Sequence, residues 1–320
     1  MRSNVAAYGS ILGLLRCPAT FARLRQDTNH LATESVPSVR YRIVDGVPIL
    51  VDFANSIVPE SQTYESLVPG RRSTSLFKRM VNGRSLVTAR NCRLFLARAK
   101  EIAQTPTVLV IGGGTIGDGA EQLYQDASVR VIAFDVYAST NITVVADAHS
   151  VPLVDSCVDA VWVQAVLEHV LEPQVVVSEI WRVLKKNGVV YSETPFLQMV
   201  HEGAYDFSRY TELGHRFLFR RFKLLKSGQV AGPATVLRWA LRYAVAGVFR
   251  SQLAGTAVWV CTFWLRFFDK IIRSDFASDG ASCVYFLGAK TEDTCAPQDL
   301  IGEYRGAQRN VVTRGLRTSK

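Results

Sequence analysis

The sequence predicts an α/β protein on a doubly wound, mostly parallel sheet, and three observations carry that prediction. Val108 to Ile111 is a continuous apolar run, as a strand buried on both faces requires. It stops abruptly in Gly112, Gly113, Gly114 and Gly117, ahead of Glu121-Gln122-Leu123-Tyr124, which can open a helix. Beyond that point strand-like and helix-like segments alternate as far as Tyr191, the pattern of a sheet covered by helices on both faces.

The glycine turn between strand and helix suits a ligand that carries a nucleotide. Glycines let the backbone turn sharply and leave no Cβ between main chain and ligand. The second apolar run, Val129 to Phe134, ends at Asp135, about 20 residues beyond the turn, where a carboxylate can accept hydrogen bonds from ribose hydroxyls. A phosphate loop is excluded, because Asp118 stands where that pattern needs Lys. A dinucleotide and an adenosyl compound without phosphate both remain. Further along, Thr143 to Ala146 reads as a third strand ending at Asp147-Ala148-His149, and Ala160 to Val163 as a fourth ending at Gln164-Ala165. Pro173 opens a helix with Val177, Ile180, Trp181 and Leu184 on one face, closed by Lys185 to Gly188. Val189 to Tyr191 is the fifth strand, ending at Glu193.

Ahead of this core, residues 1–58 read as a small β unit in which Val39 to Ile43 and Pro48 to Phe53 are joined by the hairpin signal Asp45-Gly46. Residues 59–105 form a connector broken by Pro59, Pro69-Gly70 and Asn82-Gly83, with a helix from about Ser85 to Ala103. The net charge is +9, and Arg71 to Lys100 is rich in Lys and Arg without one acid, which favours anionic partners. Hydrophobic content of 48% against 20% charged residues describes a folded chain. The six cysteines are scattered with no Cys-x-x-Cys, as in a reduced, cytoplasmic protein, and Ile11 to Leu15 is too short for a secretory leader.

From Val108 to about Leu197 the order of features resembles a class I S-adenosylmethionine (SAM)-dependent methyltransferase of the type 11 family, with a Rossmann-like sheet. The motifs are Val-Leu-Val-Ile-Gly-Gly-Gly-Thr-Ile-Gly, Phe134-Asp135, Asp147 to Leu153, Ser156 to Val161, Leu167-Glu168-His169-Val170 and Glu179 to Gly188. Phe196 to Gly232 and Ala281 to Lys290 look like the antiparallel end of that sheet. The resemblance implies that residues 106–290 form the methyltransferase domain and that SAM is the cofactor. It places Gly112, Gly114 and Gly117 against the methionyl part and ribose, Asp135 on the ribose hydroxyls, Asp147 and Ala148 at the adenine, and Gln164 near the methionyl end. The chain departs from the pattern at Val110, where an acid usually stands. Leu14 to Pro18 followed by Tyr41 to Leu50 resembles a zinc-ribbon module fused to, or partnered with, methyltransferases. Only Cys17 of its ligands is kept, with Thr20 at the second position, and one thiolate cannot hold a tetrahedral zinc, so no metal is expected.

Methyl transfer to oxygen needs alignment and a proton acceptor within hydrogen-bond reach. Glu193 to His215 supplies the candidates Glu193, His201 and Asp206 among aromatic residues, and His169 is a further one. Residues 233–280 are a helical insertion, in which Trp239, Trp259, Phe263, Trp264, Phe267 and Phe268 mix with Arg238, Arg242, Arg250 and Arg266. Its longest uncharged run falls short of the about 20 residues that span a bilayer, so peripheral contact with a membrane is the expectation. Residues 291–320 read as a polar, disordered tail. The leading function is methylation of a hydroxyl-bearing, glycan- or lipid-linked acceptor. A non-catalytic SAM-fold binding module and an NAD-dependent oxidoreductase are the alternatives. Nucleic acid is disfavoured, since no RNA-binding module accompanies the basic connector.

Overall fold

The computed structural model describes residues 4–63 and 85–309. The acid-free stretch from Arg71 as far as Arg84 therefore lies outside the described residues. The central strands are β5 (Thr107–Ile111), β6 (Arg130–Asp135), β7 (Val144–Ala146), β8 (Val158–Gln164) and β9 (Leu184–Pro195). They are flanked by β1 (Leu24–Asp27), β2 (His30–Thr33), β3 (Arg40–Val44) and β4 (Val47–Leu50) on one side, and by β10 (Phe222–Ala231) and β11 (Cys283–Lys290) on the other. Among the described residues they form one 11-stranded sheet ordered β1-β2-β3-β4-β7-β6-β5-β8-β9-β11-β10.

β5 pairs in parallel with both β6 and β8, so the order reverses at β5 and opens a crevice at the carboxyl ends of these strands. Val108 to Val110 and Val131 to Ala133 are almost fully buried, as their unbroken apolar sequence requires. β11 runs antiparallel between β9 and β10, which gives the mixed edge expected of Ala281 to Lys290.

The N-terminal segment is part of the same sheet. Asp45 and Gly46 have φ of 51° and 78°, a two-residue hairpin turn joining β3 to β4. β4 then lies parallel to β7, with Ile49 opposite Val145 and Leu50 opposite Ala146. Leu15 and Cys17 join the core cluster that includes Leu109 and Phe134. The Cys17 sulfur accepts from Thr20 N at 3.3 Å and lies 3.0 Å from the Tyr41 hydroxyl.

Helix α1 (Glu60–Thr63) is a single turn; α2 (Leu86–Ile102) has Ser85 as its N-cap, the side chain accepting from Thr88 N. Cys92, Phe95, Leu96 and Ala99 form its buried stripe against Val108 and Val110 of β5. α3 (Glu121–Gln125) follows the glycine turn, and α4 (Pro173–Val183) precedes β9.

Two boundaries differ from the sequence reading. α4 ends at Val183, short of the Lys185 to Gly188 stop, because Leu184 is already extended and pairs with Val158; Asn187, at φ 62°, absorbs the turn within the strand. Residues 291–309, expected to be disordered, are ordered. α5 (Glu212–Leu218), α6 (Pro233–Val248), α7 (Gln252–Cys261), α8 (Ser274–Asp279) and α9 (Pro297–Gly302) complete the chain. The last of these is held by Arg216, whose Nε donates to Glu303 at 2.9 Å, and by the Tyr304 hydroxyl on Asp279. Composition alone had hidden these long-range partners. Residues 310–320 lie outside the described residues.

Candidate functional site

The crevice at the β5 switch point is a cleft of about 740 Å³, within the range of small-molecule sites. Gly112, Gly117, Asp135, Asp147, Ala148 and Gln164 all line it. Gly114 lies just behind: a Cβ there would come within 2.7 Å of Asp135 Oδ2 and of the Tyr137 ring. Gly112 has φ of 76°, and a Cβ on it would strike Val166 Cγ2 at 2.3 Å. A Cβ on Gly117 would meet Gln164 Oε1 at 2.3 Å. The turn thus needs glycine for close packing as well as for its path.

Asp135 is positioned by that turn. Its Oδ2 accepts from Gly114 N and its Oδ1 from Val136 N, both at 2.8 Å. Burial pushes its carboxyl up to about 6, against the pull of those two N–H groups. Asp147 caps the turn after β7, with Oδ1 accepting from His149 N at 2.9 Å. Its Oδ1 also lies 2.7 Å from His149 Nδ1, and its Oδ2 accepts from the Ser56 hydroxyl at 2.5 Å. Burial raises the Asp147 pKa, but those hydrogen bonds outweigh burial and leave it lowered. The same contact, largest among its causes, raises His149.

Sequence reasoning missed Ser56, Ile57 and Val58, which bring the N-terminal segment to the cleft beside Asp147. No local signal marks them, since the contact joins two loops 91 residues apart in sequence. Val110, where the family pattern has an acid, is packed in the core. The turn is braced from the α2 side, where Ser85 N donates to Asp118 at 2.6 Å.

Glu193, one of the candidate proton acceptors, is buried. Its Oε1 accepts from Thr88 at 2.6 Å and from the Tyr191 hydroxyl, while its Oε2 accepts from Gln164 Nε2 at 3.0 Å. Burial pushes its pKa up to about 7, and the three donors pull it back. With both oxygens engaged, Glu193 orients Gln164 and offers no open face to an acceptor. Asp206 is corrected in the same way. Its carboxylate is clamped by both terminal nitrogens of Arg209, whose hydrogen bonds hold it well below the usual carboxylate range, so it is no proton acceptor near neutral pH. It also accepts from His201 N at 2.9 Å and so fixes the loop that carries His201.

His169 and His201 meet at the rim. Their ring centroids are 4.9 Å apart, and both face Glu168, which is fully buried. The His169 Nδ1 donates to Tyr205 O at 2.7 Å, leaving its Nε2 as the lone-pair nitrogen. Burial lowers its pKa below the ordinary imidazole value. Burial pushes the Glu168 carboxyl up to about 7. His215, in the same sequence stretch, belongs to the core. It lies 2.9 Å from the Ser192 hydroxyl and edge-on to Phe219, and burial holds its pKa down to about 3.

Residues 109–192 match the family described as a methyltransferase domain. No curated protein matches the chain. Among solved structures, coclaurine N-methyltransferase bound to N-methylheliamine and S-adenosylhomocysteine (SAH) is 13% identical, over 68% of this chain and 80% of that one, with a TM-score of 0.43. Haemonchus contortus phosphoethanolamine N-methyltransferase 2 in complex with SAM is 17% identical, over 67% and 56%, at 0.37. The cyclase SpnF is also 17% identical, over 64% and 81%, at 0.39.

Proposed function

We propose that this chain, whose residues 109–192 match a methyltransferase domain, uses SAM to methylate a hydroxyl group of an acceptor presented from a membrane surface. NAD-dependent hydride transfer is set aside by the same match.

The observation that carries the reading is the continuity of the cleft. Asp135, Asp147 and Gln164 line the same cleft as His169, Glu202 and Tyr205. A cofactor with its ribose on Asp135 and adenine by Asp147 and Ala148 directs its methyl toward the rim. Displacement from a sulfonium needs alignment and a dry approach, which a half-enclosed cleft supplies. A hydroxyl acceptor must also lose a proton, and the His169 Nε2 lone pair is the base on hand.

The membrane component rests on α6, α7 and the 3-10 helix Phe263–Lys270. Trp239 and Trp259 pack against each other at a tilt, and the buried Arg238 lies over the Trp259 ring, so they hold the insertion together. Trp264, Phe267, Phe268 and Ile271 are instead exposed, in company with Arg266 and Lys270. Apolar rings among cations suit an anionic headgroup layer. No helix among the described residues is long and apolar enough to cross a membrane. The insertion also reaches the rim, since the Tyr243 hydroxyl donates to Val200 O, next to His201.

The test uses SAM with a deuterated methyl group, incubated with membrane lipid extract and with the water-soluble metabolite fraction. Label appearing in a lipid-extractable product as a methyl ether supports the reading. Label only in soluble products, or on nitrogen, overturns it. His169→Ala should lower kcat while SAH affinity holds, because His169 faces the acceptor end.

A further inference from the structure

We propose that Glu168 Oε1, His169 Nε2 and His201 Nε2 form a binding site for one divalent transition-metal cation at the acceptor end of the cleft. Each of the three offers a ligand atom, and these atoms lie within 4.8 Å of one another.

Three observations carry it. The first is an orphan. Glu168 is fully buried, yet its Oε1 has no hydrogen-bond partner among the described residues. A buried carboxylate oxygen without a donor is costly, and a cation removes that cost.

The second is spacing. Glu168 Oε1 stands 3.7 Å from His169 Nε2 and 3.9 Å from His201 Nε2. Those separations are too long for hydrogen bonds. Two ligands each about 2.1 Å from a tetrahedral metal stand about 3.4 Å apart, so a small side-chain adjustment completes the geometry.

The third is tautomer control. The His169 Nδ1 donates to Tyr205 O at 2.7 Å. The His201 Nδ1 faces Met199 O at 3.3 Å and Asp206 Oδ2 at 3.4 Å. Each ring thus sets its Nδ1 against an acceptor and turns its Nε2 toward the orphan oxygen. Hydrogen bonds from the far nitrogen to carbonyl or carboxylate are what orient histidines on a metal. Arg209 completes the arrangement by clamping Asp206 from outside.

Two neutral imidazoles and one carboxylate suit Zn²⁺ and its first-row neighbours better than Mg²⁺ or Ca²⁺, which take oxygen ligands. Three protein ligands leave a position open. His169 lies at the cleft wall, so that position faces the space where an acceptor would sit. The site itself does not depend on the methyl-transfer reading, but its role does. With the ion bound, activation of the acceptor passes from the His169 lone pair to the cation. The hydroxyl coordinates through oxygen, its pKa falls, and its proton leaves to water through the open side of the cleft. The oxygen then attacks the SAM methyl carbon, and the C–S bond breaks with its electron pair returning to sulfur, yielding neutral SAH.

The test takes the purified full chain, stripped with chelator and dialysed. Zn²⁺ is titrated by calorimetry, and Co²⁺ is followed by its visible absorption. The expected result is one ion per chain, with Co²⁺ bands typical of nitrogen and oxygen ligation. His201→Ala removes a rim ligand and should abolish stoichiometric binding, a larger loss than the about 10–100-fold that follows loss of an outer hydrogen bond. His30→Ala, on β2, should bind as the parent does. Glu168→Gln is a second arm, with folding checked by circular dichroism. Absence of stoichiometric binding, or binding unchanged in His201→Ala, overturns the site. A parallel SAH titration of the stripped protein separates that failure from a failure of the methyltransferase reading.

Discussion

Cofactor affinity should fall as the pH drops through about 6, and Asp135 is the reason. Its Oδ1 and Oδ2 each accept one backbone N–H, which leaves each oxygen a further lone pair for a ribose hydroxyl. Those two bonds require the ionised carboxylate, whereas burial raises the pKa in the free protein to about 6. Ligand binding stabilises the charged form, so above pH 6 nothing must be given up. Below it, a proton has to be expelled before the ribose can dock. One unit below the pKa the free carboxyl is about nine-tenths protonated, so the apparent affinity for SAH at pH 5 should be about tenfold weaker than at pH 7.5. Asp135→Asn removes the titration and also places an amide N–H against either the Gly114 or the Val136 N–H. Losing charge-assisted bonds costs about 1.5–3 kcal/mol, so affinity at pH 7.5 should drop by about 10- to 150-fold and its slope between pH 5 and 7.5 should flatten. Isothermal calorimetry with SAH at both pH values, on both proteins, reads this. The reasoning fails if the parent binds equally at pH 5 and 7.5, or if the variant keeps the parent's slope. His149 also titrates at the cleft, with its pKa raised by Asp147. A residual slope in Asp135→Asn that disappears in His149→Gln would assign that remainder to the second pair.

Other outcomes follow from the same geometry. Gly119 has φ of 87°, and a Cβ on it would lie 2.8 Å from Ala89 N. Gly119→Ala should therefore cost about 1–3 kcal/mol in urea denaturation, and an unchanged midpoint would show that α2 shifts freely. Glu193 has a folded pKa raised to about 7, so its contribution to stability is present at low pH and lost as pH rises through 7. Glu193→Gln should then lose less thermal stability than the parent between pH 6 and pH 8; an equal loss in both would place the titrating group elsewhere, with Glu168 the next candidate. Replacing Trp264, Phe267 and Phe268 by Ser should reduce flotation with anionic vesicles and leave SAH affinity intact. Equal flotation of parent and variant in high salt would mean that this face does not insert.

What the sequence disclosed, and what it hid, divides by the range of the interactions. The glycine turn, Asp135 at the end of its strand and the Asp45-Gly46 hairpin were legible because each is fixed by neighbours within a few residues. The helix from Ser85 was legible for the same reason, its N-cap and apolar stripe both being local. Ser56 was not, because its partner Asp147 is brought to it by the parallel pairing of β4 with β7, and nothing in either segment announces that register. The candidate proton acceptors divide in the same way. Asp206 reads as a free carboxylate until Arg209, three residues on, folds back on it; that i, i+3 pair was visible but the loop path that closes it was not. Glu168 reads as one more acid beside a histidine. Its character comes from an Oε1 buried without a donor and from His201, carried in by a loop after the next strand and held there by Asp206 and by Tyr243 through Val200. A chemistry that needs three ligands from two loops is therefore specified by the tertiary path, and a search for fixed ligand spacing within one segment passes over it.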